Sequence, residues 1–172
     1  MALEIERRFL VSGEGWRRHV RSSAPLRQGY LASAAEGLTL RVRRAGLEQA
    51  WLTLKFPAAG IAREEFEYAI PPADAEALLL QCREGVKKWR HGLDLPGGDW
   101  VLDVFEAENA PLVIAEVELE RADQPVAVPP WCALEITGEG AFSNAALARC
   151  PFSSWEGSER ERWLQRIGRI GA

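Results

Sequence analysis

The sequence predicts an α+β fold: an eight-stranded antiparallel β-barrel with helices packed on its outside. Three observations carry this expectation. Polar and apolar residues alternate with a period of two in eight separate runs. Helical patterns are fewer and shorter than the strand-like ones. Five of the runs carry a like-charged pair two residues apart on one face (Glu4/Glu6, Arg41/Arg43, Glu65/Glu67, Lys88/Arg90 and Glu116/Glu118), where an ordinary wet strand would mix signs or use neutral side chains.

The first run, L-E-I-E-R-R-F-L-V at 3–11, sets Glu4, Glu6 and Arg8 on one face. L-T-L-R-V-R-R at 38–44 does the same with Arg41 and Arg43, and W-L-T-L-K-F at 51–56 with Thr53 and Lys55. R-E-E-F-E-Y-A-I at 63–70 places Arg63, Glu65 and Glu67 opposite Phe66, Tyr68 and Ile70. V-K-K-W-R-H at 86–91 joins Lys88 to Arg90, and W-V-L-D-V-F at 100–105 is apolar except for Asp103. V-I-A-E-V-E-L-E at 113–120 aligns Glu116, Glu118 and Glu120, and A-L-E-I-T at 133–137 completes the set with Glu135. Ala45-Gly46, Ala59-Gly60, Gly97-Gly98-Asp99 and Asn109-Ala110-Pro111 supply turns between them.

Four helices are expected. A short one covers about 14–21. A second follows Pro71-Pro72, capped by Asp74 and stopped by Gly85. A third begins near Ser143. The last, at about 158–168, opens with Ser158 and Glu161 at capping-box spacing and turns Trp163, Leu164 and Ile167 to one side. Docking on the barrel wall is the ordinary use of such a face, and closing one tunnel mouth is the alternative. The whole chain, 1–172, reads as one domain.

Composition narrows the function classes. A net charge of −4 argues against nucleic acid as a partner. Cys82, Cys132 and Cys150 form no C-x-x-C pair, and His19 and His91 are the only histidines, so a zinc or redox motif is not indicated. No secretory signal and no membrane-length apolar run is visible, so a cytoplasmic protein without a membrane partner is expected, as monomer or homodimer. The seven tryptophans are read as packing.

The charged faces, turned inward, would be costly unless paired, hydrated or neutralised by a ligand. They therefore imply a wet cavity with a charged guest. Residues two apart on a strand are about 7 Å apart, so glutamates at Glu4/Glu6, Glu65/Glu67 and Glu116/Glu118, with Asp103, could converge on a cation. All-oxygen ligation suits Mg²⁺ or Mn²⁺. The bases Arg8, Arg41, Arg43, Lys55, Arg63, Lys88 and Arg90 call for a polyanion, and a triphosphate fits. Acids, bases and a metal together suit phosphoryl transfer. A G-x-x-x-x-G-K-[ST] loop is absent.

At this point the residues resemble a known family. E-I-E-R-R resembles the E-x-E-x-K signature of the CYTH domain, or triphosphate tunnel metalloenzyme, superfamily. L-R-V-R at 40–43, L-T-L-K at 52–55, R-E-E-F-E at 63–67, K-W-R at 88–90, L-D-V-F at 102–105 and A-E-V-E-L at 115–119 continue the likeness in order, and I-T-G followed by Asn144 resembles the end of the domain. The resemblance covers about residues 3 to 150. It implies an eight-stranded tunnel and hydrolysis of a triphosphate with Mg²⁺ or Mn²⁺. Carried over, Glu4, Glu6, Asp103, Glu116 and Glu118 match metal-binding acids. Arg41, Arg43, Lys55, Lys88 and Arg90 match phosphate binders, joined by Arg8 and Arg63. The catalytic set is Glu4, Glu6, Glu116, Glu118, Lys88 and Arg90, and Glu65 and Glu67 match acids that balance the tunnel bases. Tyr30 is read as packing. The chain departs from the family at Arg8, where lysine is usual. The short bacterial type implies inorganic tripolyphosphate as substrate. A class IV-type adenylate cyclase, a thiamine triphosphatase and a non-catalytic polyphosphate-binding module are the alternatives.

Overall fold

The computed structural model describes residues 2–33, 38–57 and 63–168, with the side chains of 2–4, 33, 57 and 63 outside that set. All eight expected runs are strands, but the ladder has ten. The opening run breaks at Ile5 into β1 (Ala2–Glu4) and β2 (Glu6–Val11), and β3 (Val20–Ser33) is additional. Then follow β4 (Thr39–Ala45), β5 (Gln49–Pro57), β6 (Arg63–Ala69), β7 (Glu84–Leu93), β8 (Asp99–Phe105), β9 (Val113–Glu118) and β10 (Cys132–Glu135). They form one antiparallel sheet in the order β1-β6-β5-β4-β3-β7-β8-β9-β2-β10. The sheet is thus a ladder with two ends among the described residues, where an eight-stranded ring was expected. The opening segment touches both flanks: Ala2–Glu4 pairs with β6, and Glu6–Leu10 pairs with β9.

β3 was the strand hidden in the sequence. Pro25 and Gly29 read as breakers, yet both are accommodated. Pairing with β4 begins only at Leu26, so the missing N–H of Pro25 costs no bond on that side. Gly29 is required by close approach, because a Cβ there would lie 2.7 Å from Cys82. Two register shifts, at Val20/Ser22 and Tyr30/Ala32, blur the alternation further. The helix expected at 14–21 is only a 3₁₀ turn, Gly15–His19.

The helices are α1 (Pro72–Leu79), α2 (Asn144–Arg149) and α3 (Gly157–Gly168). α1 is capped by Pro71, with Asp74 in its first turn, and stops at Leu79. Gly85 lies inside β7, where it pairs with Gly29. Ser143 caps α2 as expected, accepting from the Ala146 N–H. Ser158 lies within α3, one residue past its start. The turn at Ala59-Gly60 lies outside the described residues. No helix among the described residues is long and apolar enough to cross a membrane.

Three apolar clusters pack around the sheet. Phe9, Trp16, Trp100, Val117 and Trp131 lead the first, and Val42, Ala50, Ala75 and Leu79 join β4 and β5 to α1 in the third. The second positions the site. Along four strands, the residue two positions beyond a charged one is apolar: Leu10 after Arg8, Val86 before Lys88, Phe105 after Asp103, and Ile114 before Glu116. These share a face with the charges. They pack with Tyr30, Phe142 and Leu147, and with Trp163 and Ile167 of α3. One end of the charged face is therefore closed by apolar packing.

Candidate active site

Beyond that packed end lies a cavity of about 550 Å³, lined by Glu6, Gln28, Arg41, Arg43, Lys55, Glu65, Phe66, Glu67, Tyr68, Lys88, Arg90, Glu116, Glu118 and Asn144. Ten of the predicted site residues meet here, carried by six strands. The alternation explains why: each points from the same face of its strand, and antiparallel register keeps neighbours level.

One wall is basic. Arg41, Thr53 and Glu67 stand in register across β4, β5 and β6, as do Thr39, Lys55 and Glu65. Thr53 is buried and bridges the two strands, accepting from Arg41 Nη2 at 3.1 Å and donating to Glu67 Oε2 at 2.9 Å. Glu67 also accepts from Arg43 at 2.9 Å, and Glu65 lies 2.8 Å from the Lys55 ammonium. The acids Glu65 and Glu67 thus hold the bases in place. The Nε groups of Arg41 and Arg43 are nevertheless buried without a hydrogen-bond partner. Burial, then the adjacent Arg41, pushes Arg43 down to about 10.

The centre is a buried ion network. Asp103 is fully buried, and its Oδ2 accepts from Lys88 Nζ at 2.6 Å and from Arg90 Nη2 at 2.7 Å, while Oδ1 accepts from Arg90 Nε at 2.8 Å. Burial opposes ionisation of Asp103, but Arg90 and Lys88 outweigh it and hold the carboxyl far below the usual carboxylate range. Lys88 moves the other way. Burial, offset in part by Asp103, pushes its ammonium down to about 8. Its Nζ also donates to Asn144 Oδ1 at 2.8 Å. Arg90 reaches on to Glu116 Oε2 at 3.0 Å.

The acidic wall comprises Glu6, Glu116 and Glu118. Glu6 and Glu118 are direct cross-strand partners, and Arg8 Nε lies 3.7 Å from Glu6 Oε1. Glu116 is held by Arg8 and Arg90, which keep its carboxyl below the usual range against the effect of burial. Among the described residues no group of three or more His, Cys, Asp or Glu side chains is arranged to hold a metal ion. The donor set, all carboxylate oxygen, suits a hard divalent cation.

Two predicted residues stand behind the wall. Asp103 and Arg8 are buried and are absent from the lining; Asp103 is bound by Lys88 and Arg90, and Arg8 by Glu116 and the Phe142 carbonyl. The side chains of Glu4 and Arg63 lie outside the described residues, although their backbones pair with each other across β1 and β6. Tyr30 is packing: its buried hydroxyl accepts from Gln28 Nε2 at 3.0 Å, and burial pushes it up to about 12. Sequence reasoning missed Gln28 and Asn144, and it set Phe66 and Tyr68 on the face away from Glu65 and Glu67, although they too border the cavity. Gln28 lies in the unrecognised strand. Asn144 had only its place in the family-like terminal motif as a signal, since its partner Lys88 is remote in sequence.

A profile of the CYTH domain matches residues 2–146. The chain is similar to a protein named inorganic triphosphatase from Acetivibrio thermocellus, 34% identical over 91% of this chain and 99% of the relative. It is similar to another of that name from Nitrosomonas europaea, 39% identical over 84% and 96% of the two. A crystal structure of an inorganic triphosphatase superposes with a TM-score of 0.62, at 35% identity over 86% of this chain and 95% of that one. By the domain profile over residues 2–146 and by these relatives, the chain belongs to the CYTH domain family.

Proposed function

We propose that this protein is a divalent-metal-dependent triphosphatase whose best substrate is inorganic tripolyphosphate, hydrolysed to pyrophosphate and phosphate in the charged cavity. The observation that carries the reading is the cavity itself, where Arg41, Arg43 and Lys55 face the acids Glu6, Glu116 and Glu118. Guanidinium and ammonium groups gathered in one cavity suit a polyanion. The names of the relatives, at 34% and 39% identity over most of the chain, support the same substrate. In this reading the sheet curls into a tunnel, with the opening segment spanning its seam, and residues 1–172 act as one unit.

Arg41, Arg43 and Lys55 bind the phosphate chain, with Arg63 as a further candidate. Glu65 and Glu67 keep these bases oriented and limit their mutual repulsion. Glu6, Glu116 and Glu118, drawn closer together than they stand here and joined by Glu4, would hold Mg²⁺ or Mn²⁺, which would supply positive charge against the phosphate oxygens. Asp103 orients Lys88 and Arg90 from behind. Arg90 offsets charge on the terminal phosphoryl group as the bond to the bridging oxygen breaks. Lys88, with its ammonium depressed to about 8, has a substantial neutral fraction in mildly alkaline solution. Its Nζ then accepts a proton from the water that attacks the terminal phosphorus, and pyrophosphate leaves.

The test is a substrate panel of tripolyphosphate, ATP, thiamine triphosphate and long polyphosphate with each metal, identifying every product. Phosphate release from tripolyphosphate should be fastest. No turnover above an E116A/E118A double variant would refute hydrolysis, and cyclic AMP with pyrophosphate from ATP would favour the cyclase instead. Tight binding of tripolyphosphate without turnover would favour a binding module.

A further inference from the structure

The family-like signature implied that Arg8 grips phosphate, but its surroundings assign it other work. Its guanidinium is buried, and Nε donates to Glu116 Oε1 at 3.0 Å, directly across the β2–β9 register. Nη2 donates to the backbone carbonyl of Phe142 at 3.1 Å. The second oxygen of Glu116 is held by Arg90, so two guanidinium groups fix the two edges of one carboxylate. The Arg8 backbone is tied to the same neighbourhood: its N–H donates to Thr137 Oγ1 at 3.0 Å, and its carbonyl accepts from Ile136 N–H at 2.8 Å.

Phe142 is fully buried. Its ring stands edge-on to Trp163 of α3 at 4.9 Å and tilted against Trp155 at 5.1 Å. The turn it ends leads straight into Ser143 and Asn144, the residue that holds Lys88. A continuous set of contacts therefore runs from Glu116 through Arg8 to the 140–144 turn. From there it branches to Lys88 on one side and to α3 on the other. A planar fork can hold two acceptors in a fixed relation, whereas an ammonium is a point charge on a flexible stem.

We propose that Arg8 is a positioning residue that locks Glu116 to the Phe142 turn, and so couples the acidic wall to the packed end of the cavity and the C-terminal helix, instead of contacting phosphate. This rests on the triphosphatase reading only for its ligand measurements. Arginine in place of the usual lysine then provides the second bond, to the carbonyl.

The experiment compares wild type with R8K, R8M and R41M. Calorimetry with tripolyphosphate in EDTA should show R8M and R8K within about 2-fold of wild type, while R41M weakens binding about 10-fold or more through loss of a charge-assisted donor. Mn²⁺ binding to the protein without tripolyphosphate should weaken in R8M, because Glu116 loses one of its two holders. Amide exchange of peptides covering 136–147 and 157–168 should rise about 5-fold or more in R8M. R8K should recover part of that protection, and it serves as the folded variant if R8M fails to fold. A loss of tripolyphosphate affinity in R8K or R8M equal to that in R41M would overturn the proposal, as would unchanged amide exchange. If wild type binds no tripolyphosphate, the functional reading fails, and the exchange measurement alone still decides the role of Arg8.

Discussion

Replacing Asp103 with asparagine tests the ion network most directly. The carboxylate is fully buried and accepts three charged hydrogen bonds, one from Lys88 and two from Arg90. D103N keeps the volume but removes the charge that two buried cations share. Removing one partner of a buried ion pair costs about 3–5 kcal/mol. Here Arg90 retains Glu116 and Lys88 retains Asn144, so the lower end, about 3 kcal/mol, is expected at pH 7. The pH dependence gives the sign. Asp103 has its carboxyl depressed in the folded state, so its stabilisation is present above the unfolded value of about 4. It is lost as pH falls below that value toward the folded one. Urea denaturation at pH 7 and at pH 3 should therefore show the gap between wild type and D103N narrowing in acid. A difference under about 1 kcal/mol at pH 7, the scale of a surface pair, would refute the reasoning. So would a gap that does not change with pH.

Other outcomes follow from the same geometry. The log of kcat/KM for tripolyphosphate should rise with pH toward a plateau above about 8, because Lys88 becomes neutral there, and K88R should lose that limb while K88M should lose most activity. N144A removes an acceptor from the Lys88 ammonium without touching the basic wall, so kcat should fall about 10-fold with KM nearly unchanged, as steady-state kinetics can show. E118Q removes one carboxylate from the acidic wall, so its melting temperature should respond less to Mg²⁺ than that of wild type. Truncation after Gly157 removes Trp163 and Ile167 from the second cluster and should destabilise by about 1–3 kcal/mol in denaturant titration. The substrate range should stay unchanged, since no residue of α3 lines the cavity among the described residues.

Much of the site was legible because alternation is local. Arg41 and Arg43, Glu65 and Glu67, Lys88 and Arg90, and Glu116 and Glu118 each declare a shared face through spacing alone, and each pair lines the cavity. What spacing could not tell was depth. Arg8 and Asp103 have the same local signature as their neighbours, yet both stand behind the wall, because which strand lies opposite decides whether a charge meets the cavity or another charge. β3 was illegible for a related reason: Pro25 and Gly29 are breakers by propensity and fit only because of where β4 stops and where Cys82 approaches.

By itself the sequence determined which residues are charged, which faces they share, and that eight runs would be strands; these follow from stereochemistry within a few residues. Only the tertiary structure decided that Lys88 meets Asp103 and Asn144, that Glu116 is held between Arg8 and Arg90, and that Phe142 and Leu147 close one end of the charged face. Those contacts join residues far apart in the chain. Their consequences, a lysine pushed down to about 8 and an aspartate held ionised, arise from burial and proximity, which only the assembled fold supplies.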